Sequence, residues 1–123
     1  LKGPNASIYG VAGGAGVTPF IAIFRQLYKD GMVGNNKLFC SNKTVADILL
    51  KDEFTIMLGK NFINTITDEN NSGYDHRYIN EVYLEDMIHD FSQDFYICGP
   101  PPMVTSVQQA IQNLGGSAIV VEM

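Results

Sequence analysis

The sequence predicts one α/β domain in which a parallel sheet lies between two layers of helices. Its 123 residues suffice for one hydrophobic core and are too few for a core plus a second independent module. Five short apolar runs, bounded by Gly, Pro or Asn, alternate with longer amphipathic segments, which is the pattern of repeated βα units. We therefore expect a three-layer α-β-α fold with five parallel strands.

The predicted strands are short segments rich in β-branched and aromatic residues. The first, SIYGVA, is a run of small and apolar residues, as expected for a buried strand of a parallel sheet. The predicted strands cover residues 7–12, 37–40, 62–67, 94–98 and 118–122.

The first predicted helix covers residues 18–28, where apolar residues recur at helical spacing and are expected to pack onto the sheet. Thr18 is the expected N-cap, and Pro19 suits the first helical position because its missing N–H has no partner there. Gly31 is expected to end this helix.

The remaining predicted helices cover residues 48–58, 81–90 and 101–114. Thr44 and Asp47 have the spacing of a capping box ahead of the second helix, with Asp in place of the usual Glu. Gly115 and Gly116 end the last helix. Residues 68–76 are polar and contain Asn, Ser and Gly, which favours a loop, and loops often carry function.

The composition excludes several classes of protein. The formal net charge of −5 and scattered lysines argue against a nucleic-acid partner. No apolar run approaches the roughly 20 residues needed to span a bilayer, and no export signal is present, so we expect no membrane partner and a cytoplasmic protein. Cys40 and Cys98 are too few for a disulfide framework and are expected to be free thiols.

A glycine-rich turn, GGAGVTP, joins the first strand to the first helix. Such a turn exposes unpaired N–H groups and the positive end of a helix dipole, so Gly13, Gly14 and Gly16 predict an anion site. Tight packing of the turn against other backbone is the alternative explanation. No Gly-Lys-Ser/Thr follows, which excludes the phosphate loop of nucleoside triphosphatases. Ser41 and Asn42 stand where a usual dinucleotide dehydrogenase needs a carboxylate.

A second turn, CGPPPM, follows the fourth strand. Together the two turns resemble those of the ferredoxin-NADP(+) reductase superfamily, whose NAD(P)H-binding domains carry G-G-T/S-G-I/V-T-P after the first strand and C-G-P-x-x-M after the fourth. The resemblance extends from Ser7 to the chain end and includes SNKT after the second strand. It implies a Rossmann-like NAD(P)H-binding domain over residues 7–123.

The resemblance also implies which residues contact the dinucleotide. The implied cofactor-binding residues are Gly13, Gly14, Ala15, Gly16, Thr18, Pro19, Ser41, Asn42, Thr67, Asp68, Cys98, Gly99, Pro100 and Met103. Ala15 departs from the family's usual Thr or Ser. Cys98 and Glu122 are the implied catalytic residues, with Cys98 beside the nicotinamide ring. A buried core thiol is the alternative for Cys98.

The expected cofactor is NADH. Asp68 and Glu69 stand where members that use NADPH carry basic residues, and a carboxylate repels a 2′-phosphate but accepts hydrogen bonds from ribose hydroxyls. NADPH stays an alternative because Lys43 or Arg77 could reach such a phosphate.

The resemblance further implies FAD as hydride acceptor and ferredoxin, flavodoxin or an oxygenase as electron acceptor. No flavin-binding motif occurs in this sequence, so we expect a flavin-binding domain in cis or in trans, and residues 1–6 as the remnant of its linker. By itself the chain is expected to bind a dinucleotide without turnover. A non-catalytic nucleotide-binding, regulatory or interaction module of the same fold is the alternative function.

One cluster of polar residues could suggest a metal. Glu81, Glu85 and His89 recur at four-residue spacing in the third predicted helix. A solvated acidic helix explains them, and no metal site is predicted.

Overall fold

The computed structural model describes residues 7–121, so Glu122 and the predicted linker 1–6 lie outside the described residues. Five strands form one sheet in the order β3-β2-β1-β4-β5, and every neighbouring pair is parallel. The strands are β1 (Ile8–Gly13), β2 (Lys37–Asn42), β3 (Phe62–Ile66), β4 (Asp94–Cys98) and β5 (Ala118–Val120). The predicted five-stranded parallel sheet is confirmed.

Four helices cover the two faces of this sheet. They are α1 (Thr18–Lys29), α2 (Lys51–Leu58), α3 (Glu81–Met87) and α4 (Pro101–Asn113). Helices α1 and α2 bury Phe20, Phe24 and Phe54 on one face, whereas α3 and α4 bury Tyr83 and Ile111 on the other. Each large apolar side chain buried in this way contributes about 1.5–3 kcal/mol to folding. The three-layer arrangement is therefore confirmed.

The start of α1 differs from the prediction by one residue. A 3-10 turn, Gly14–Val17, runs directly into the helix, so Thr18 already has helical dihedrals and Val17 occupies the N-cap. The Thr18 hydroxyl donates to the Ala15 carbonyl oxygen at 2.8 Å instead of capping the helix. Pro19 is therefore the second helical residue and not the first as predicted, although it still lies in the first turn.

The start of α2 also differs. Thr44 and Asp47 do form a capping box, but it caps a short 3-10 turn, Val45–Asp47. Ile48 then has extended backbone and is buried, and the helix begins at Lys51 after Leu50 adopts a left-handed conformation with φ 51°. The predicted start at residue 48 is wrong because burial of Ile48 interrupts the helical path.

The third helix is shorter than predicted. It ends at Met87, and Ile88 has extended backbone with φ −126°. His89 therefore does not continue the helical face of Glu81 and Glu85. Among residues 7–121, no group of three or more His, Cys, Asp or Glu side chains is arranged to hold a metal ion. Within the same range, no helix has the length and apolarity needed to cross a bilayer.

Candidate functional site

The sheet reverses its direction of growth between β1 and β4, which are neighbours. Chain connections therefore leave toward opposite faces at this point, and a crevice opens at the carboxyl ends of the two strands. Ala12 pairs with Cys98 at the end of this ladder. Both motif turns, the glycine turn after β1 and the Cys-Gly-Pro turn after β4, thus meet at the place where ligands bind in open α/β sheets.

The glycines of the first turn serve different purposes. A Cβ atom on Gly16 would overlap the Cys98 carbonyl group, and one on Gly13 would lie 2.5 Å from the Met103 sulfur. The protein itself excludes a side chain at Gly16, where the close atoms are backbone, whereas the Met103 sulfur near Gly13 belongs to a flexible side chain that can move aside. Gly14 has φ +53° and faces open space. Packing against backbone therefore explains Gly16, and Gly14 is the one of the three glycines with open space for a ligand.

A first cavity of about 540 Å³ opens beside this turn. Its volume lies within the range of small-molecule and cofactor sites. Its walls come from the ends of β1 and β2, the loops after β2 and β3, and the first turn of α4. The lining residues are Gly13, Gly14, Ala15, Ser41, Asn42, Lys43, Asp47, Leu49, Thr67, Tyr78, Pro100 and Met103.

The two loops that form the outer walls of the first cavity are joined by hydrogen bonds. The Thr67 N–H donates to the Asn42 carbonyl at 3.0 Å, and the Asp68 N–H donates to the Lys43 carbonyl at 2.9 Å. These bonds continue the β2 to β3 ladder beyond the ends of the strands. A side-chain bond follows, in which Glu69 Oε1 accepts from the Val45 N–H at 2.8 Å.

Of the two cations near the first cavity, Arg77 is held in ion pairs and Lys43 is not. The Arg77 guanidinium binds Asp75 at 2.8 Å and Asp86 at 3.1 Å and lies 4.9 Å from the centre of the Tyr83 ring. The hydrogen bond from Arg77 lowers the pKa of the Asp75 carboxyl group, and these contacts hold the pKa of Arg77 above its ordinary value. Lys43 lines the cavity instead, and no ion pair involves it within residues 7–121.

A second cavity, of about 460 Å³, lies on the other side of the Cys-Gly-Pro turn. It is lined by Cys98, Gly99, Pro101, Val104, Thr105, Val120 and Val121. Burial raises the pKa of the Cys98 thiol, which therefore stays protonated and uncharged at neutral pH. The turn itself separates the two cavities, because Pro100 and Met103 line the first.

The structure groups most of the predicted site residues around these cavities. Those lining the first are Gly13, Gly14, Ala15, Ser41, Asn42, Thr67, Pro100 and Met103, and those lining the second are Cys98 and Gly99. Gly16, Thr18 and Pro19 support the glycine turn, and Asp68 is exposed outside the cavity linings. Glu122 lies outside the described residues.

Four residues that line the first cavity were not among the predicted site residues: Lys43, which was considered only as a contact to a 2′-phosphate, and Asp47, Leu49 and Tyr78. In the second cavity the residues that were not predicted are Pro101, Val104, Thr105, Val120 and Val121. Tyr78 is 68% exposed at the rim of the first cavity. An aromatic residue between a polar loop and an acidic helix was the sequence feature that could have indicated Tyr78 as a site residue. Asp47 and Leu49 could not be placed because the displaced start of α2 brings them to the cavity wall.

The fold and the crevice define a Rossmann-like nucleotide-binding domain. A family model described as oxidoreductase NAD-binding domain matches residues 11–109. The chain therefore belongs to the oxidoreductase NAD-binding domain family, which confirms the resemblance drawn from the two turns.

Individual relatives agree with this assignment. The chain is 28% identical over 116 residues to the electron transfer component of 2-halobenzoate 1,2-dioxygenase from Burkholderia cepacia, covering 88% of this chain and 34% of that protein. It is 28% identical over 115 residues to NADH-cytochrome b5 reductase 1 from Pyricularia oryzae, covering 85% and 37%. The chain thus spans little more than a third of the length of these relatives.

A solved structure shares the fold. The flavohem-like FAD/NAD binding domain of nitric oxide dioxygenase from Vibrio cholerae superposes with a TM-score of 0.82 at 19% identity, covering 97% of this chain and 52% of that one. At this level of identity the likeness supports the fold alone.

Proposed function

We propose that this chain positions NADH for hydride transfer to FAD in a flavin-dependent reductase. The observation that carries the proposal is the meeting of the glycine turn and the Cys-Gly-Pro turn at the switch point between β1 and β4. A dinucleotide laid across this point has its adenosine end in the first cavity and its nicotinamide end beside the second. The family assignment makes NAD the expected ligand.

The glycine turn is proposed to bind the pyrophosphate. Its 3-10 turn leads straight into α1, so the N–H groups at the start of the turn, those of Gly14 and Ala15, and the positive end of the helix dipole face an anion beside Gly14, whereas the Thr18 N–H already donates to the Ala15 carbonyl. The open space at Gly14 lets the anion approach the backbone. Ala15 adds no hydroxyl group, so binding depends on the backbone donors.

The first cavity is proposed to hold the adenosine. The exposed Tyr78 ring offers a flat apolar surface for a purine, while Ser41, Asn42 and Thr67 offer polar groups to the ribose. Asp47 on the wall and Asp68 nearby add negative charge. A 2′-phosphate would meet this charge, which favours NADH over NADPH.

Cation placement supports the same preference. Arg77 was one of the two cations expected to be able to reach the 2′-phosphate of NADPH. Its guanidinium is instead paired with Asp75 and Asp86. Binding a 2′-phosphate through Arg77 would require breaking these contacts. Lys43 is then the one cation on the cavity wall within the described residues.

The second cavity is proposed to hold the nicotinamide beside Cys98. FAD bound on an adjacent flavin domain supplies the group that accepts the hydride. A small, polarizable and uncharged thiol can pack against the ring without offering a competing charge. Because burial raises the pKa of Cys98, the thiol keeps this neutral form.

The whole protein is proposed to pass electrons onward to a protein acceptor. Relatives of this chain include a dioxygenase electron transfer component and the reductase component of propane 2-monooxygenase from Gordonia. We propose an oxygenase, ferredoxin or flavodoxin as the acceptor, with the flavin domain in cis or in trans. A cytoplasmic location is proposed as well, since both cysteines are free and buried.

Calorimetric titration of the 123-residue chain with NADH and NADPH tests the proposal. NADH is expected to bind more tightly, and Gly14→Glu to weaken it about 100-fold or more, because a carboxylate takes the place of the pyrophosphate. Gly31→Glu is the matched control, since Gly31 has φ +67° and open space but lies at the far end of α1. A folded chain that binds neither nucleotide would instead support the non-catalytic interaction module.

A further inference from the structure

We propose that Glu69 is a positioning residue whose carboxylate joins the two outer loops of the first cavity and sets the distance between its walls. The inference rests on the proposed binding of a dinucleotide in that cavity. Glu69 thus has a positioning role, whereas Asp68 acts on the cofactor by its charge. The sequence alone does not distinguish these two neighbouring carboxylates.

Glu69 bonds directly to the backbone of the loop after β2. Glu69 Oε1 accepts a hydrogen bond from the Val45 N–H at 2.8 Å across 24 residues of sequence. Val45 is the first residue of the 3-10 turn Val45–Asp47, where backbone N–H groups have no partner inside the turn. The Thr44 to Asp47 capping box satisfies other donors of this turn, and Glu69 satisfies the one at Val45.

The bond between Glu69 and Val45 connects two loops that both line the first cavity. The turn that begins at Val45 carries Asp47 and leads to Leu49, and both residues line the first cavity. On the other side, Thr67 lines the cavity two residues before Glu69. The bond from Val45 to Glu69 therefore links one wall directly to the other.

The Glu69 bond to Val45 adds to the backbone hydrogen bonds that already join the two loops. The β2 to β3 ladder continues through Thr67 to Asn42 and Asp68 to Lys43. Of the hydrogen bonds described between the two loops, the next one along is the side-chain bond of Glu69. Without it, the segment from Val45 to Leu49 keeps no described hydrogen bond to the loop after β3, and binding must then order a wall that Glu69 otherwise holds in place.

The test compares Glu69→Ala with Glu69→Gln in the 123-residue chain. Glutamine keeps an oxygen that accepts from the Val45 N–H but removes the charge. We expect Glu69→Ala to weaken NADH and NADPH binding by the same factor, about fivefold, and to speed hydrogen exchange of the Val45 amide. Glu69→Gln should restore both quantities. Glu85→Ala, which removes one charge from α3 outside both cavities, is the matched control.

Several results would overturn the proposal. Unchanged affinity or unchanged Val45 exchange in Glu69→Ala would show that the link positions nothing. A selective gain of NADPH affinity in Glu69→Gln would show that Glu69 acts by charge on the cofactor. Failure of the wild-type chain to bind NADH would instead refute the proposed function, and Val45 exchange would still report whether the link exists.

Discussion

Replacement of Gly16 by alanine tests the different purposes of the glycines in the first turn. The added Cβ would overlap the carbonyl carbon and oxygen of Cys98 and lie 2.9 Å from the Cα of Gly99. All of these are backbone atoms, so no side-chain rotation can make room. The turn after β1 or the turn after β4 must move.

The expected cost follows from this geometry. Overpacking a well-packed site lowers the free energy of unfolding by about 1–3 kcal/mol. Because the Cβ of Gly16→Ala would meet backbone atoms, we expect a loss of about 3 kcal/mol, at the upper end of this range. At about 4 °C per kcal/mol for a domain of this size, the melting temperature should fall by about 12 °C. Gly14→Ala has open space around it and carries only the strain of its positive φ, about 1 kcal/mol.

Thermal and urea denaturation followed by circular dichroism measure both variants. Gly73→Ala is the neutral control, because its nearest neighbour would be a flexible side-chain oxygen at 3.5 Å. A Gly16→Ala chain that is no less stable than Gly14→Ala would refute this explanation, because packing against the Cys98 backbone would then not require glycine at position 16.

Three further predictions concern charge and protonation. Asp68→Arg should shift the ratio of NADPH to NADH affinity by about tenfold or more toward NADPH in calorimetric titrations, since an attraction replaces a repulsion; an unchanged ratio would exclude Asp68 as the discriminator. Arg77→Ala should lower the free energy of unfolding slightly without changing NADPH affinity, because Arg77 is engaged by Asp75 and Asp86. Arg77 lowers the pKa of Asp75 in the folded chain. The stabilisation from this pair is therefore present above the ordinary carboxyl pKa of about 4 and is lost as pH falls through the lower folded pKa. The free energy of unfolding measured with urea should depend less on acid pH in Arg77→Ala than in the wild-type chain. Both thiols should resist iodoacetamide at pH about 7.5 until the chain unfolds, since burial raises the pKa of Cys40 to about 12 and also raises that of Cys98; rapid modification of the native chain, seen by mass spectrometry, would contradict this.

Much of the fold could be predicted because local pattern and global architecture agree. The alternation of apolar runs with amphipathic segments is enough to expect parallel strands with crossover helices. The start of α2 could not be predicted, because the capping box at Thr44 and Asp47 is genuine and yet serves a short 3-10 turn. Burial of Ile48 and the left-handed backbone of Leu50 decide where the helix begins, and neither leaves a local signal.

The residues of the candidate site could mostly be predicted from the sequence, but the separate role of each residue could not. The two turns indicated most of the residues that line the cavities. Sequence spacing could not show that Gly16 packs against Cys98, because that contact joins the turn after β1 to the end of β4, more than eighty residues further along the chain. Nor could it show that Arg77 is bound by carboxylates, since Asp86 reaches it from α3.

Chemical-shift mapping with NADH tests the central claim most directly. In the 15N-labelled chain, saturating NADH is predicted to shift the amides of residues 14–18, 41–43, 67 and 98–99, because the dinucleotide crosses the switch point between β1 and β4. Amides of residues 28–34, at the end of α1 and in its connection to β2 near the amino end of β2, should stay unchanged. Shifts confined to other surfaces, or no shifts in a folded chain, would contradict the assignment of this crevice as the NADH site.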